Sequence, residues 1–121
     1  MSKRILVVED QEDNRRIVRD LLTTVGYEII EAVTGEDGVR MAETHVPDLI
    51  LMDIQLPGID GYEATRRIKA NMTLQQIPII AVTSYALSGD DVKAFEAGCD
   101  AYVSKPFSPR ALLAKIREFV P

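Results

Sequence analysis

Short apolar runs and amphipathic stretches take turns along this chain, five times over. The runs are ILVV (5–8), YEII (27–30), LILM (49–52), IPIIAV (77–82) and AYV (101–103). They are rich in Ile and Val, and several show no polar alternation. That pattern suits strands covered on both faces, as in a parallel sheet. The stretches between them carry helical spacing. In 13–25, Ile17, Val18, Leu21, Leu22 and Val25 form one stripe, and Gly26 is a natural stop. In 35–45, Thr34 caps with Asp37 three residues on, and Gly38 costs ~1 kcal/mol of helix propensity. In 60–70, Asp60 and Glu63 have capping-box spacing. In 89–97, Ser88 caps, Val92 and Phe95 are expected to face inward, and Gly98 ends the helix. In 109–119, Ser108 caps, Pro109 suits the first helical position, and Leu112, Leu113, Ile116, Phe119 and Val120 form the stripe.

Five βα units in a row predict an α/β fold: a five-stranded parallel sheet joined by right-handed crossovers, with helices on both faces. The flavodoxin-like strand order 2-1-3-4-5 is the common solution, and it binds ligands beyond the strand C-termini. At 121 residues, one domain spanning 1–121 is expected, and such a chain buries roughly two-thirds of its unfolded surface. A net charge of −5, with no Lys/Arg run longer than two, argues against direct nucleic-acid binding. No apolar run reaches the ~18 residues of a membrane span, and the N-terminus turns acidic too soon for a signal peptide. The lone Cys99 permits neither an internal disulfide nor a cysteine zinc site, which suits a cytoplasmic location.

The candidate chemistry stands just past the end of each strand. Glu9 and Asp10 come after the first, Asp53 after the third, Thr83 and Ser84 after the fourth, and Ser104, Lys105 and Pro106 after the fifth. Strand 2 offers only Glu31 and Thr34. Three carboxylates, a hydroxyl and an ammonium therefore converge on one edge of the expected sheet. Neighbouring carboxylates repel one another and invite a hard cation, and Mg²⁺ accepts a few carboxylate oxygens while keeping waters. An aspartate can attack phosphorus and form an acyl phosphate. The phosphoryl group in flight needs positive charge on its oxygens, which Lys105 and the metal supply, while the Thr83 hydroxyl donates a hydrogen bond.

Four segments, in order and at proper spacing, resemble the receiver domain of two-component response regulators over the whole length. They are ILVVEDQEDNRRIV, DLILMDIQLPGIDGYE, IPIIAVTSYA and GCDAYVSKPF, and the likeness is to the stand-alone, chemotaxis-regulator-like type. The resemblance implies Asp53 as phosphoacceptor and Mg²⁺ held by Asp10 and Asp53. Glu9 would act largely through metal-bound water, and the backbone carbonyl of Gln55 would be a further ligand. It implies Thr83 and Lys105 on the phosphoryl oxygens, Tyr102 as the aromatic switch, and a cis peptide at Lys105-Pro106. It also implies a histidine kinase or histidine phosphotransfer protein as donor and a downstream protein target that reads the helix 4–strand 5–helix 5 face, a face also open to homodimer formation. Gln55 and Tyr85 would line the path of hydrolytic water. Gln55 is not a general base, and neither residue supplies the carboxylate that would best orient an attacking water, so slow self-dephosphorylation is expected.

Two rivals fit less well. A small Mg²⁺-dependent phosphatase of the dehalogenase-like kind usually carries a second Asp two residues after its nucleophile, where this chain has Gln55. A flavodoxin-type cofactor binder needs a hydroxyl- or Gly-rich loop after strand 1, where this chain has EDQED. Arg15, Arg16 and His45 read as solvated, Cys99 as a small residue beside a turn, and Met41 and Met52 as packing.

Overall fold

The computed structural model describes residues 2–83, 90–105 and 107–121, without the side chains of 90 and 91. Ser84, Tyr85, the Ser88 cap and the Lys105-Pro106 peptide lie outside the described residues. The described elements are β1 (Arg4–Val8), α1 (Glu12–Thr24), β2 (Glu28–Ala32), α2 (Gly35–His45), β3 (Leu49–Asp53), α3 (Gly61–Ala70), β4 (Ile79–Thr83), α4 (Asp90–Ala97), β5 (Ala101–Ser104) and α5 (Pro109–Arg117). All four strand pairings are parallel, and the order is β2-β1-β3-β4-β5, as expected.

Burial follows that order. Every residue of β3 and β4 is buried, while the edge strands β2 and β5 are mostly half-buried. The period of two along each strand then divides the core. Leu6, Val8, Ile50, Met52, Ile79 and Ala81 face α2, α3 and α4. Ile5, Val7, Leu49, Leu51 and Ile80 face α1 and α5. Three caps form as the sequence suggested. Thr34 accepts from the Asp37 N–H, Asp60 from Glu63 and Ser108 from Ala111. The Glu63 carboxylate is turned outward to Arg67 and Arg66, whose hydrogen bonds hold its pKa below the usual carboxylate value. Gly26 and Gly98 take positive φ past their helices.

Several expectations fail for physical reasons. Val92 and Phe95 are 53% and 51% exposed, whereas Ala94 and Ala97 are buried. The α4 helix approaches the body of the protein through its small residues, leaving the large ones outside. In α1, Ile17 is exposed and only Val18 and Leu22 of the stripe are fully covered. Gly38 is no mere cost: a Cβ there would lie 2.9 Å from Val8 Cγ2, so the residue lets α2 pack on β1. The second strand starts one residue later than YEII suggested. Tyr27 is buried outside the ladder, its hydroxyl donating to the Val120 carbonyl at 2.6 Å.

Candidate functional site

Asp53 is the last residue of β3 and continues the face of Leu49 and Leu51. Its backbone is held closely. Ile54 N–H donates to the Val82 carbonyl, and Gly61 N–H to the Ile54 carbonyl. A Cβ on Gly61 would lie 2.3 Å from the Asp53 carbonyl oxygen, so only glycine lets the start of α3 come this close. Asp53 is 4% exposed, and its carboxylate has two partners among the described residues. Gln55 N–H donates to Oδ1 at 2.9 Å, and Lys105 Nζ donates to Oδ2 at 3.0 Å.

The end of β1 supplies the facing wall. Glu9 is buried, accepting from Lys105 Nζ at 2.8 Å through Oε1 and from Gln11 N–H at 3.2 Å through Oε2. Asp10 is exposed beside it, and oxygens of Glu9, Asp10 and Asp53 lie within 4.8 Å of one another. The β4–β5 pairing delivers the rest. Thr83, 2% exposed, ends β4 opposite Ser104, and the Lys105 N–H donates to the Thr83 carbonyl at 2.6 Å. A cleft of about 500 Å³ opens beside these groups between α1 and α5, with Val7, Leu51, Phe107 and Leu112 among its walls.

Burial by itself draws the Lys105 ammonium toward neutrality. The hydrogen bonds to Glu9 and Asp53, with their charges, outweigh it and hold the pKa above the ordinary lysine value. Three carboxylates still face one ammonium, so negative charge is left over. Hard oxygen donors at this spacing fit a divalent cation such as Mg²⁺.

Of the residues singled out in the sequence, Glu9, Asp10, Asp53 and Lys105 are thus brought together, with Thr83 joined to Lys105 through the backbone. Gln55 is exposed next to them, and its N–H is committed to Asp53. Tyr102 is half-buried on β5, opposite Ala81, against the core beneath α2–α4. His45 is half-buried at the far end of the sheet, where its carbonyl accepts from Arg4 Nη1. Cys99 is buried, and desolvation pushes its thiol up to about 11, against a weak contact to Thr65 Oγ1 at 3.8 Å. Arg15 overturns its solvated reading. It is only 16% exposed, with Nε donating to Glu31 Oε1 and Nη1 to the Glu9 carbonyl, each at 3.0 Å. No local pattern marks it, because its anchor Glu31 lies 16 positions away.

A doubly wound parallel sheet with buried carboxylates and a lysine at its strand ends is the arrangement expected of a signalling receiver. The sequence profile of the response regulator receiver domain matches residues 5–117, and the chain belongs to that family, the receiver domain of two-component signalling. It is 42% identical to the polar-differentiation response regulator DivK of Brucella ovis over 120 residues, covering 99% of this chain and 98% of that one. Among solved structures it resembles the receiver domain of a sensor histidine kinase of Pseudomonas aeruginosa, which has a magnesium ion coordinated in its active-site cleft. The TM-score is 0.92 at 38% identity, covering 99% of this chain and 98% of that one. It also resembles a CheY-like receiver domain protein of Methanospirillum hungatei, with a TM-score of 0.89 at 37% identity, covering 98% of this chain and 93% of that one.

Proposed function

We propose that the chain is a cytoplasmic phosphoacceptor switch, with Asp53 taking a phosphoryl group from the phosphohistidine of a kinase or phosphotransfer protein. The observation that carries this reading is the buried Asp53 carboxylate, bridged by Lys105 to Glu9 at the end of the central strands. An Asp53 oxygen attacks phosphorus, the P–N bond to the donor imidazole breaks, and its electron pair stays with that nitrogen. Glu9, Asp10, Asp53 and the Gln55 carbonyl would hold Mg²⁺, which supplies positive charge to the phosphoryl oxygens. Lys105 follows the charge from the Asp53 carboxylate to the phosphoryl oxygens. Thr83 turns its hydroxyl to them, and Tyr102 moves into the space that Thr83 leaves.

The exposed Val92 and Phe95 give α4 an apolar surface, which supports the α4–β5–α5 face as the place where a downstream protein or a second copy docks. The solvent-exposed Gln55 amide offers no general base to water, which supports a long-lived acyl phosphate rather than phosphatase turnover. Tyr85 is proposed to shield the same path. The test is acetyl phosphate with Mg²⁺ followed by intact mass. The parent should gain a phosphoryl group and Asp53→Asn should not; undiminished uptake by the variant overturns the assignment.

A further inference from the structure

We propose that Arg15 is a positioning residue that orients the Glu9–Asp10 peptide and so sets where the two β1 carboxylates stand. The proposal rests on the reading of Glu9, Asp10 and Asp53 as a cation site. The backbone of Glu9 is fixed at both of its polar groups. Its N–H donates to the Ala32 carbonyl at 3.0 Å, and its carbonyl accepts from Arg15 Nη1 at 3.0 Å. That carbonyl lies in the peptide plane that leads to Asp10, so its direction governs the start of the Asp10 residue. Arg15 is itself held: Nε donates to Glu31 Oε1, and Glu31 also receives Arg19 Nη1 at 3.3–3.4 Å. Glu31 stands opposite Val7 in the β1–β2 register, two residues before Glu9. The strand pairing thus fixes Glu31, Glu31 fixes the guanidinium, and the guanidinium fixes the acidic turn.

Only a rigid fork can reach a carboxylate with one nitrogen and a carbonyl with another in this way; a lysine ammonium is a point charge on a flexible stem. Positioning and plain electrostatics therefore predict opposite results. A guanidinium near a cation site repels the cation, so its loss should tighten binding on charge grounds alone. If Arg15 positions the ligands, its loss should weaken binding.

The experiment is calorimetric titration of the metal-free full chain with Mg²⁺, together with amide hydrogen exchange at Asp10 and Gln11. It compares the parent with Arg15→Met, Arg15→Lys and Glu31→Gln. Arg15→Met and Arg15→Lys should both weaken Mg²⁺ binding about tenfold, the effect of losing an outer-shell partner of a ligand, and should speed exchange at both amides. Glu31→Gln, which keeps an acceptor, should fall between them and the parent. Binding unchanged in Arg15→Lys, or tightened in Arg15→Met, overturns the proposal while the cation site stands. No Mg²⁺ binding by the parent overturns the cation reading and the proposal with it.

Discussion

Lys105 is held by two buried carboxylates, and most of its behaviour stems from that. Its ammonium is 19% exposed as a side chain, and Glu9 and Asp53 raise its pKa above the ordinary lysine value of 10.5. A group whose pKa is raised by folding contributes stability that is fully present below the unfolded value and is lost as pH climbs through the folded one. Stability from this contact should therefore be level through neutral pH and decline only above about pH 10.5. Lys105→Met removes the ammonium and leaves two carboxylates facing each other. At pH 7 it should cost roughly 2 kcal/mol in urea unfolding, below the 3–5 kcal/mol of a fully buried pair because this site is partly open to water. The gap from the parent should close as the parent's own lysine deprotonates. Saturating Mg²⁺ should stabilise the variant more than the parent, because the ion there meets no competing ammonium. A gap that persists unchanged above pH 11, or an equal Mg²⁺ effect in both proteins, would contradict this electrostatic account.

At the scale of elements, two positions in and after α2 depart from helix propensity in opposite senses. Gly38→Ala should gain about 1 kcal/mol from propensity and lose about 1–3 kcal/mol from overpacking, since the new methyl would meet Val8, itself 1% exposed. A net loss is expected, and thermal melts of Gly38→Ala with and without Val8→Ala test it. The second change should relieve the first, and strict additivity would refute the clash. Val46 closes α2 in the left-handed region at φ 45°, where a branched side chain is strained, and the residue is 47% exposed. Val46→Gly should stabilise by on the order of 0.5–1 kcal/mol, seen as a raised melting temperature. These positions also mark where the sequence stops being readable. Apolar runs and caps revealed the elements because each is a local signal, and the candidate site could be proposed because strand ends collect chemistry in this topology. Gly38 reads locally as a defect, and only the nearness of β1 makes it necessary. In α4, Val92 and Phe95 make as good a stripe as Ala94 and Ala97, and only the space left by the neighbouring elements chooses the alanines. Arg15 depends on a partner from another strand, which no helical pattern encodes.

For the molecule as a whole, the proposed function places chemistry and readout in different parts of the sheet, so they should separate under mutation. Lys105 touches Asp53 directly, whereas Tyr102 sits on the edge strand, half-buried against the core beneath α2–α4. The two belong to one short segment, yet the alternation of β5 gives them different surroundings. Ala101 two places before Val103 joins the α1 and α5 side, while Tyr102 joins the other. A phosphoryl group on Asp53 adds about 1.5–2 negative charges, and it shifts the protein toward a second state only as far as that state binds the new charge better. On the proposed reading, Tyr102→Ala removes the ring that distinguishes the two states and leaves the groups around Asp53 in place. It should take up phosphoryl groups from acetyl phosphate within about twofold of the parent rate, a change below the ~1.4 kcal/mol of a tenfold effect. It should also lose the phosphorylation-dependent change in hydrogen exchange across α4 and β5. Lys105→Ala should impair both uptake and the exchange response, because the phosphoryl oxygens lose their cation from the protein. Intact mass over time gives the first quantity and exchange followed by peptide mass the second. Equal loss of uptake in the two variants would place Tyr102 within the chemistry, and a full exchange response in Tyr102→Ala would remove it from the switch.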